Sequence, residues 1–512
     1  MTAESVLKQK GAFSDRINPI VVKELRQAVQ SRFVIATLLT LLSIQLVAIG
    51  IYILASGASL FGFYAGQQSF LMLFGILQVI GVIFVPLYTG ARLAAERSDV
   101  NVDLLFITTI KPRSVIAGKM FAAMALTALI YSACMPFMAF TYFLRGIDLP
   151  SIFISLGVGF VAVITCAQMA VFVACMPVGR AFKVIFGLIA LTIFGVIYFA
   201  TVAWVSDILR RGVIGGSFWE TITVMSFVIC FVVGVFFVMS VALIMPVASN
   251  RALPVRLFIT AAWLLGGVAA VSGSVIENRN WPMILWLVAF EIVFALALFV
   301  AVSERDRQGR RVRRSIPKSL LGRAPAFFFF SGAAHGVAWA SVMIALTLAV
   351  ARVWAQLFPR YGNVGDLVDS VKWMGGMCLY FFCYAMTGAL LRRLLFRRVV
   401  GTELTWLISV SLLLVGSVTP FLIGYIIFFK DQWWSEDFGA WWVGNPFAWG
   451  YKGHRVLYAN VAGMWAALVA ALSLPWFIEG VKSFKHLSRV AADDAIESAP
   501  RAVASGSTSM ID

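Results

Sequence analysis

Charge is scarce in this 512-residue chain. Asp, Glu, Lys and Arg make up 13% of it, against 61% hydrophobic residues, and the mean hydropathy is +0.91. Soluble domains run at roughly 25% charged and about 45–50% apolar. A soluble fold cannot hide this much apolar surface, so the excess must face lipid. A soluble globular enzyme, a disordered chain and a nucleic-acid-binding module are excluded. Histidine is scarcer still: only His335, His454 and His486 occur, too scattered for a metal site, and no HExxH is present. No CxxC occurs among the six cysteines, Cys134, Cys166, Cys175, Cys230, Cys378 and Cys383. All lie in apolar runs and read as small buried packing residues, with neither a disulfide framework nor a zinc site. The one Gly-Lys pair, Gly118-Lys119, is followed by Met120 and lacks the upstream glycine of a Walker A loop. No GxSxG elbow stands in a strand–turn–helix context. The chain is therefore expected to hold no catalytic site, no metal, no cofactor and no nucleotide-binding domain.

What is present is a series of long apolar runs. A helix needs about 20 mostly apolar residues to cross the hydrocarbon core. Twelve candidates stand at 33–55, 70–93, 120–143, 152–177, 183–205, 219–246, 257–276, 283–302, 331–355, 373–396, 403–429 and 460–478. The expected fold is an all-α polytopic membrane protein. The first run follows a polar lead and is too long for the core of a cleaved signal.

The net charge of +17 gives the orientation. With the N-terminus inside, 31 of the 41 Lys and Arg residues fall in inside segments and 10 in outside loops. The bias predicts an N-in, C-in topology and removes the need for a nucleic-acid partner.

Four regions stand apart from the spans. In residues 14–32, Asn18 is placed to cap a helix and Pro19 to open it. Val21/Val22, Leu25 and Ala28/Val29 recur on one face, with Lys23, Arg26, Gln27 and Gln30 on the other. The pattern predicts an amphipathic helix over 18–31 lying in the membrane interface. In the inside loop 94–119, Ser98 or Asp99 can cap a short helix over 98–108, with Asp99 and Asp103 near its start and Val102, Leu105 and Phe106 on an apolar face. Such a helix either docks a soluble partner or packs back on its own spans. Residues 303–326 carry eight basic and two acidic residues and read as a solvated linker touching anionic lipid heads. The outside loop 430–459 holds Trp433, Trp434, Trp441, Trp442 and Trp449 and reads as interfacial helices on the outer leaflet. From about 488 the tail is expected to be disordered. Thr89-Gly90-Ala91-Arg92-Leu93 and Thr387-Gly388-Ala389-Leu390-Leu391 echo one another, but five residues do not establish a duplication.

Glu291 is the one ionisable residue deep in a span. It must face the bundle, be protonated or pair with a neighbour, as an ion or substrate contact or as a structural hydrogen bond. Gln45, Gln78 and Gln168 are explained by interhelical hydrogen bonds.

The stretch Asn18-Pro19-Ile20-Val21-Val22-Lys23-Glu24-Leu25-Arg26 resembles the opening of ABC-2-type transporter permeases, with their amphipathic connecting helix before the first span. The inside loop is similar to the family's ER..GTLELLL.TP……..GK segment at Glu96, Arg97, Asp103, Leu104, Leu105, Thr108, Gly118 and Lys119. Val100-Asn101 stand where the family has Gly-Thr, and Thr109 replaces the proline. The resemblance covers residues 14–250. It implies that Asp99, Asp103, Leu104, Leu105, Phe106 and Thr108 belong to a coupling helix that docks in a groove of a separate ATPase subunit, where ATP and Mg would be bound. Lys23, Glu24, Leu25 and Arg26 would belong to the interfacial helix, with Glu24 and Arg26 bracing it.

The expected organisation is a permease half over 1–250, a second membrane half of six spans over 251–487, and the tail over 488–512. The second half carries none of the quoted motifs; a degenerate repeat is one reading of it. The leading functional expectation is the permease subunit of an ABC exporter in a bacterial inner membrane. Its expected partners are an ATPase subunit, membrane lipid, and either a second copy or a second permease. An ion-coupled secondary transporter using Glu291 and a scaffold of an envelope complex are the alternatives.

Overall fold

The computed structural model describes residues 19–56, 64–98, 111–144, 146–177, 179–212, 216–246, 249–306, 308–359, 364–396, 398–428, 442–450 and 454–486. Asn18, the whole of 99–110 and the tail from 488 lie outside them. Among the described residues there is no strand, and twelve helices are long and apolar enough to cross a membrane. The chain is a multi-pass helical membrane protein. Each helix coincides with one expected run, because a 3.6-residue helix satisfies every backbone group internally and lipid offers no alternative partner.

The chain divides into two compact units, Met1–Pro246 and Val247–Asp512. The first contains α1 (Pro19–Val29), α2 (Arg32–Ser56), α3 (Ala65–Ser98), α4 (Pro112–Phe143), α5 (Leu149–Cys175), α6 (Arg180–Arg211) and α7 (Gly216–Ile244). Pro19 takes the first position of α1, where its missing N–H costs nothing. The chain breaks at Gln30–Ser31 and re-enters helix at Arg32. Asp148 caps α5, its carboxylate accepting the Ser151 N–H at 3.2 Å.

Helix α3 is the hub of this unit, packed against α2, α4, α5 and α6. Phe70, Leu73, Phe74 and Leu77 are fully buried along it. Gly159 of α5 admits the α3 surface: a Cβ there would stand 2.8 Å from Phe74 and from Gln78. The buried glutamines each bridge helices. Gln45 of α2 donates to the Leu73 carbonyl at 3.5 Å. Gln78 of α3 donates to the Gly159 carbonyl at 3.3 Å and accepts from Tyr131 Oη at 2.8 Å. Gln168 of α5 donates to Ser240 of α7 at 3.3 Å. The outward faces carry the apolar excess: Leu39, Leu46, Leu54, Val184, Val196 and Phe199 are all exposed.

The second unit contains α8 (Ala252–Glu277), α9 (Trp281–Ala301), α10 (Arg310–Arg314), α11 (Leu320–Phe329), α12 (Ala333–Leu357), α13 (Val364–Leu394), α14 (Thr405–Phe428) and α15 (Arg455–Ser483). Helix α13 is its hub, packed against α9, α12, α14 and α15. The echoed glycines both sit on a hub helix at a tight crossing: Gly90 of α3 faces Ala170 of α5, and Gly388 of α13 faces Ser409 of α14.

Three expectations are corrected. Cys230 is exposed on α7, whereas the other five cysteines are buried. The aromatic loop does not lie wholly on a leaflet. Trp442 and Trp449 are buried, and Trp449, in a 3-10 turn at Pro446–Gly450, fills the notch left by Gly376 of α13. Residues 442–450 are held against α13, where Tyr384 Oη donates to the Gly444 carbonyl at 2.7 Å. Trp433, Trp434 and Trp441 lie outside the described residues. Residues 303–326 are not a loose linker: Val312, Ile316, Phe330 and Phe484 form a small core of their own.

Candidate functional site

The sequence motifs of the first unit converge on one side chain. Lys119 is in the second turn of α4 and only 4% exposed. Its Nζ lies 2.9 Å from Glu24 Oε1 of α1 and 2.7 Å from Glu96 Oε2 of α3. Glu24 is itself buried, while Glu96 faces the surface at the end of α3. Tyr88, Arg92 and Glu96 recur every four residues, so they share one face of α3. Arg92 donates to Tyr88 Oη and to Gln27 Oε1 of α1, each at 2.6 Å. A small cleft opens among Glu24, Ala28, Tyr88, Arg92 and Lys119.

The electrostatics explain the arrangement. An isolated buried ammonium loses several kcal/mol of hydration, which an apolar site does not return. Two carboxylates return it here. Two cations, Lys119 and Arg92, stand with two anions, Glu24 and Glu96, so the cluster is formally neutral. It also decides how α1 sits. The helical pattern places Val21/Val22, Leu25 and Ala28/Val29 on one apolar face. In the fold Ala28 of that face is buried, but the other buried position is Glu24, with Val21 and Leu25 half-buried and Val22 exposed. Lys23 and Arg26 are exposed on the far face.

The cluster brackets the loop singled out from sequence. Glu96 precedes residues 99–110, and Lys119 follows them. Asp99, Asp103, Leu104, Leu105, Phe106 and Thr108 are outside the described residues. Lys111 and Pro112 open α4. The sequence marks Glu24, Glu96 and Lys119 as motif positions with no role for Lys119, sets Gln27 on a polar helix face and Arg92 in the five-residue echo without joining them to the others, and leaves Tyr88 unmarked. The four-residue spacing of Tyr88, Arg92 and Glu96 was the available signal.

The second unit has an analogous tie. Arg256, near the start of α8 and buried, donates to the carbonyls of Phe328 and Phe330 at 2.9 and 2.6 Å. It also pairs with Glu304, beyond the end of α9. Glu304 Oε2 in turn accepts the Gly332 N–H at 2.7 Å. The segment between α11 and α12 is thereby fixed from both sides.

Glu291 lies on α9 and is fully buried. Its Oε2 accepts from Cys378 Sγ of α13 at 3.1 Å; its Oε1 has no hydrogen-bond partner among the described residues. His335 is buried between Phe327 and Phe484, with ring centroids 4.3 and 5.0 Å away. Among the described residues, no three His, Cys, Asp or Glu side chains come together as metal ligands would.

No protein-family model, curated protein or solved structure matches the chain.

Proposed function

We propose that the chain is the transmembrane permease subunit of an ABC-2-type ATP-binding cassette transporter, oriented N-in and C-in in a bacterial inner membrane, and that it exports its substrate. ATP and Mg are handled by a separate subunit. The observation that carries this reading is the position of Lys119. Residues 98–108 resemble a coupling helix, and the residues on either side of them, Glu96 and Lys119, are tied to each other and to Glu24 of α1. A force on that loop therefore reaches α1, α3 and α4 together. Closure of an ATPase dimer against the loop would move these elements as one body and bias the spans between inward-open and outward-open states. Asp99, Asp103, Leu104, Leu105, Phe106 and Thr108 supply the docking surface in this reading.

The test is co-purification. Leu105→Arg combined with Phe106→Asp should abolish recovery of an ATPase subunit in mild detergent while leaving membrane insertion unchanged. Undiminished recovery would remove the coupling assignment.

A second reading, ion-coupled transport, is favoured by one observation: the fully buried Glu291 carboxyl has an oxygen without a partner among the described residues. Under that reading Glu291→Gln abolishes a proton or sodium dependence of transport; under the first it does not.

A further inference from the structure

We infer that residues 310–323 of the second unit form a binding surface for the headgroups of anionic phospholipid. The surface is independent of what the chain transports.

Topology puts the segment at one membrane face. Helix α9 ends at Ala301 and α12 begins at Ala333, and both are spans. The stretch between them leaves and re-enters the bilayer on the same side. The start of α14 and the end of α15 meet it there. The Trp406 N–H donates to Ser303 Oγ at 2.8 Å, and the Phe484 and Phe330 rings are 5.5 Å apart.

The segment is built rather than solvated. Val312 of α10 and Ile316, two residues past its end, are buried against Phe330 and Phe484. His486 Nδ1 lies 2.8 Å from the Ile316 carbonyl oxygen. Gln308 Nε2 donates to the Ser331 carbonyl at 2.9 Å. Ser319 caps α11 by accepting the Gly322 N–H at 3.2 Å.

Burying Val312 in the sequence RRVRR turns Arg310, Arg311 and Arg314 outward, and Lys318 is exposed beside them. None of the four forms an ion pair among the described residues. No Asp or Glu occurs between Asp306 and Asp366. The nearest acids in sequence are already engaged: Glu304 with Arg256, and Asp306 with Arg393. Glu403, which meets the same face, is paired with Arg305. Four like charges fixed on one ordered platform repel one another, and no acidic side chain among the described residues supplies their counter-charge. Fixed cations at a membrane surface draw anionic lipid.

The apolar neighbour separates a lipid from a free anion. Leu321 is 91% exposed, the most exposed large apolar residue described, and it lies three residues past Lys318 in the first turn of α11. A cationic face followed at once by a bare leucine matches an amphiphile, with phosphate on the cations and glycerol or acyl carbon on Leu321.

The test uses the full chain purified in mild detergent, with its melting temperature followed as phosphatidylglycerol, phosphatidylcholine or inorganic phosphate is added. Phosphatidylglycerol should raise it; the other two should not. In the combined variant R310Q/R311Q/R314Q/K318Q, the phosphatidylglycerol concentration giving half the shift should rise by about tenfold or more. Leu321→Ser should weaken the lipid effect while the four cations remain. If the combined variant aggregates, Arg314→Gln and Lys318→Gln are compared singly, each expected to weaken the response by about threefold or more. An unchanged response in these variants would overturn the proposal. So would a full shift from inorganic phosphate, which would make the surface a free-anion site. Recovery of a stoichiometric acidic protein that is lost with the four cations, without any lipid effect, would overturn it in favour of a protein partner.

Discussion

Lys119 and Glu24 stand 95 residues apart in the chain and 2.9 Å apart in the fold, both almost completely buried. Removing Lys119 strips the buried Glu24 carboxylate of its ammonium, whereas removing Glu24 still leaves Lys119 paired with Glu96. Lys119→Met should therefore destabilise the purified protein by about 3–5 kcal/mol. Replacing both, Lys119→Met with Glu24→Leu, should recover much of that loss. A double-mutant cycle on thermal or denaturant unfolding in detergent reads the coupling, which should reach about 1 kcal/mol or more. Additive single effects would show that the two residues do not interact.

The notch at Gly376 makes a steric prediction. A Cβ there overlaps the buried Trp449 ring. Gly376→Ala should cost about 1–3 kcal/mol through overpacking, and Trp449→Leu in the same chain should relieve part of it. Gly463→Ala is the control, because nothing lies within 4 Å of the added carbon. Its effect should be neutral to slightly stabilising. Equal losses at the two glycines would refute the notch.

Cysteine chemistry tests the exposure pattern across both units. Cys230 is exposed and the other five are buried. A lipophilic maleimide applied to the folded protein should add one label per chain, and Cys230→Ser should abolish it. Unfolding should make all six thiols reactive. Intact-mass measurement counts the labels directly, and labelling of Cys134 or Cys166 in the folded protein would contradict the packing around α4 and α5.

Cys378 and Glu291 make a fourth prediction. The thiol is the only hydrogen-bond donor to the Glu291 carboxyl among the described residues. Cys378→Ala should cost about 1–3 kcal/mol, the range for stranding a buried polar group. Cys378→Ser, which keeps a donor, should cost less. Thermal unfolding of the two variants side by side gives the answer; a larger loss for the serine variant would contradict the hydrogen bond.

The sequence by itself determined the membrane class, the twelve spans and the need for glutamines to bond across helices. These follow from properties that add along the chain: apolar length against bilayer thickness, and the cost of an unsatisfied amide in lipid. It also marked Glu24, Glu96 and Lys119, but as positions in two motifs, Glu24 in one and Glu96 with Lys119 in the other. Only the tertiary structure brought them into one cluster. That outcome depends on which faces of α1, α3 and α4 meet, and periodicity cannot select a face when the inward residue is charged. The same holds for Trp449, which reads as an interfacial ring until Gly376 supplies a cavity for it, and for Val312 and Ile316, which read as part of a solvated basic run until Phe330 and Phe484 close over them. In each case a residue's burial was decided by a partner far away in the chain, because compensating a charge or filling a void is a property of the pair.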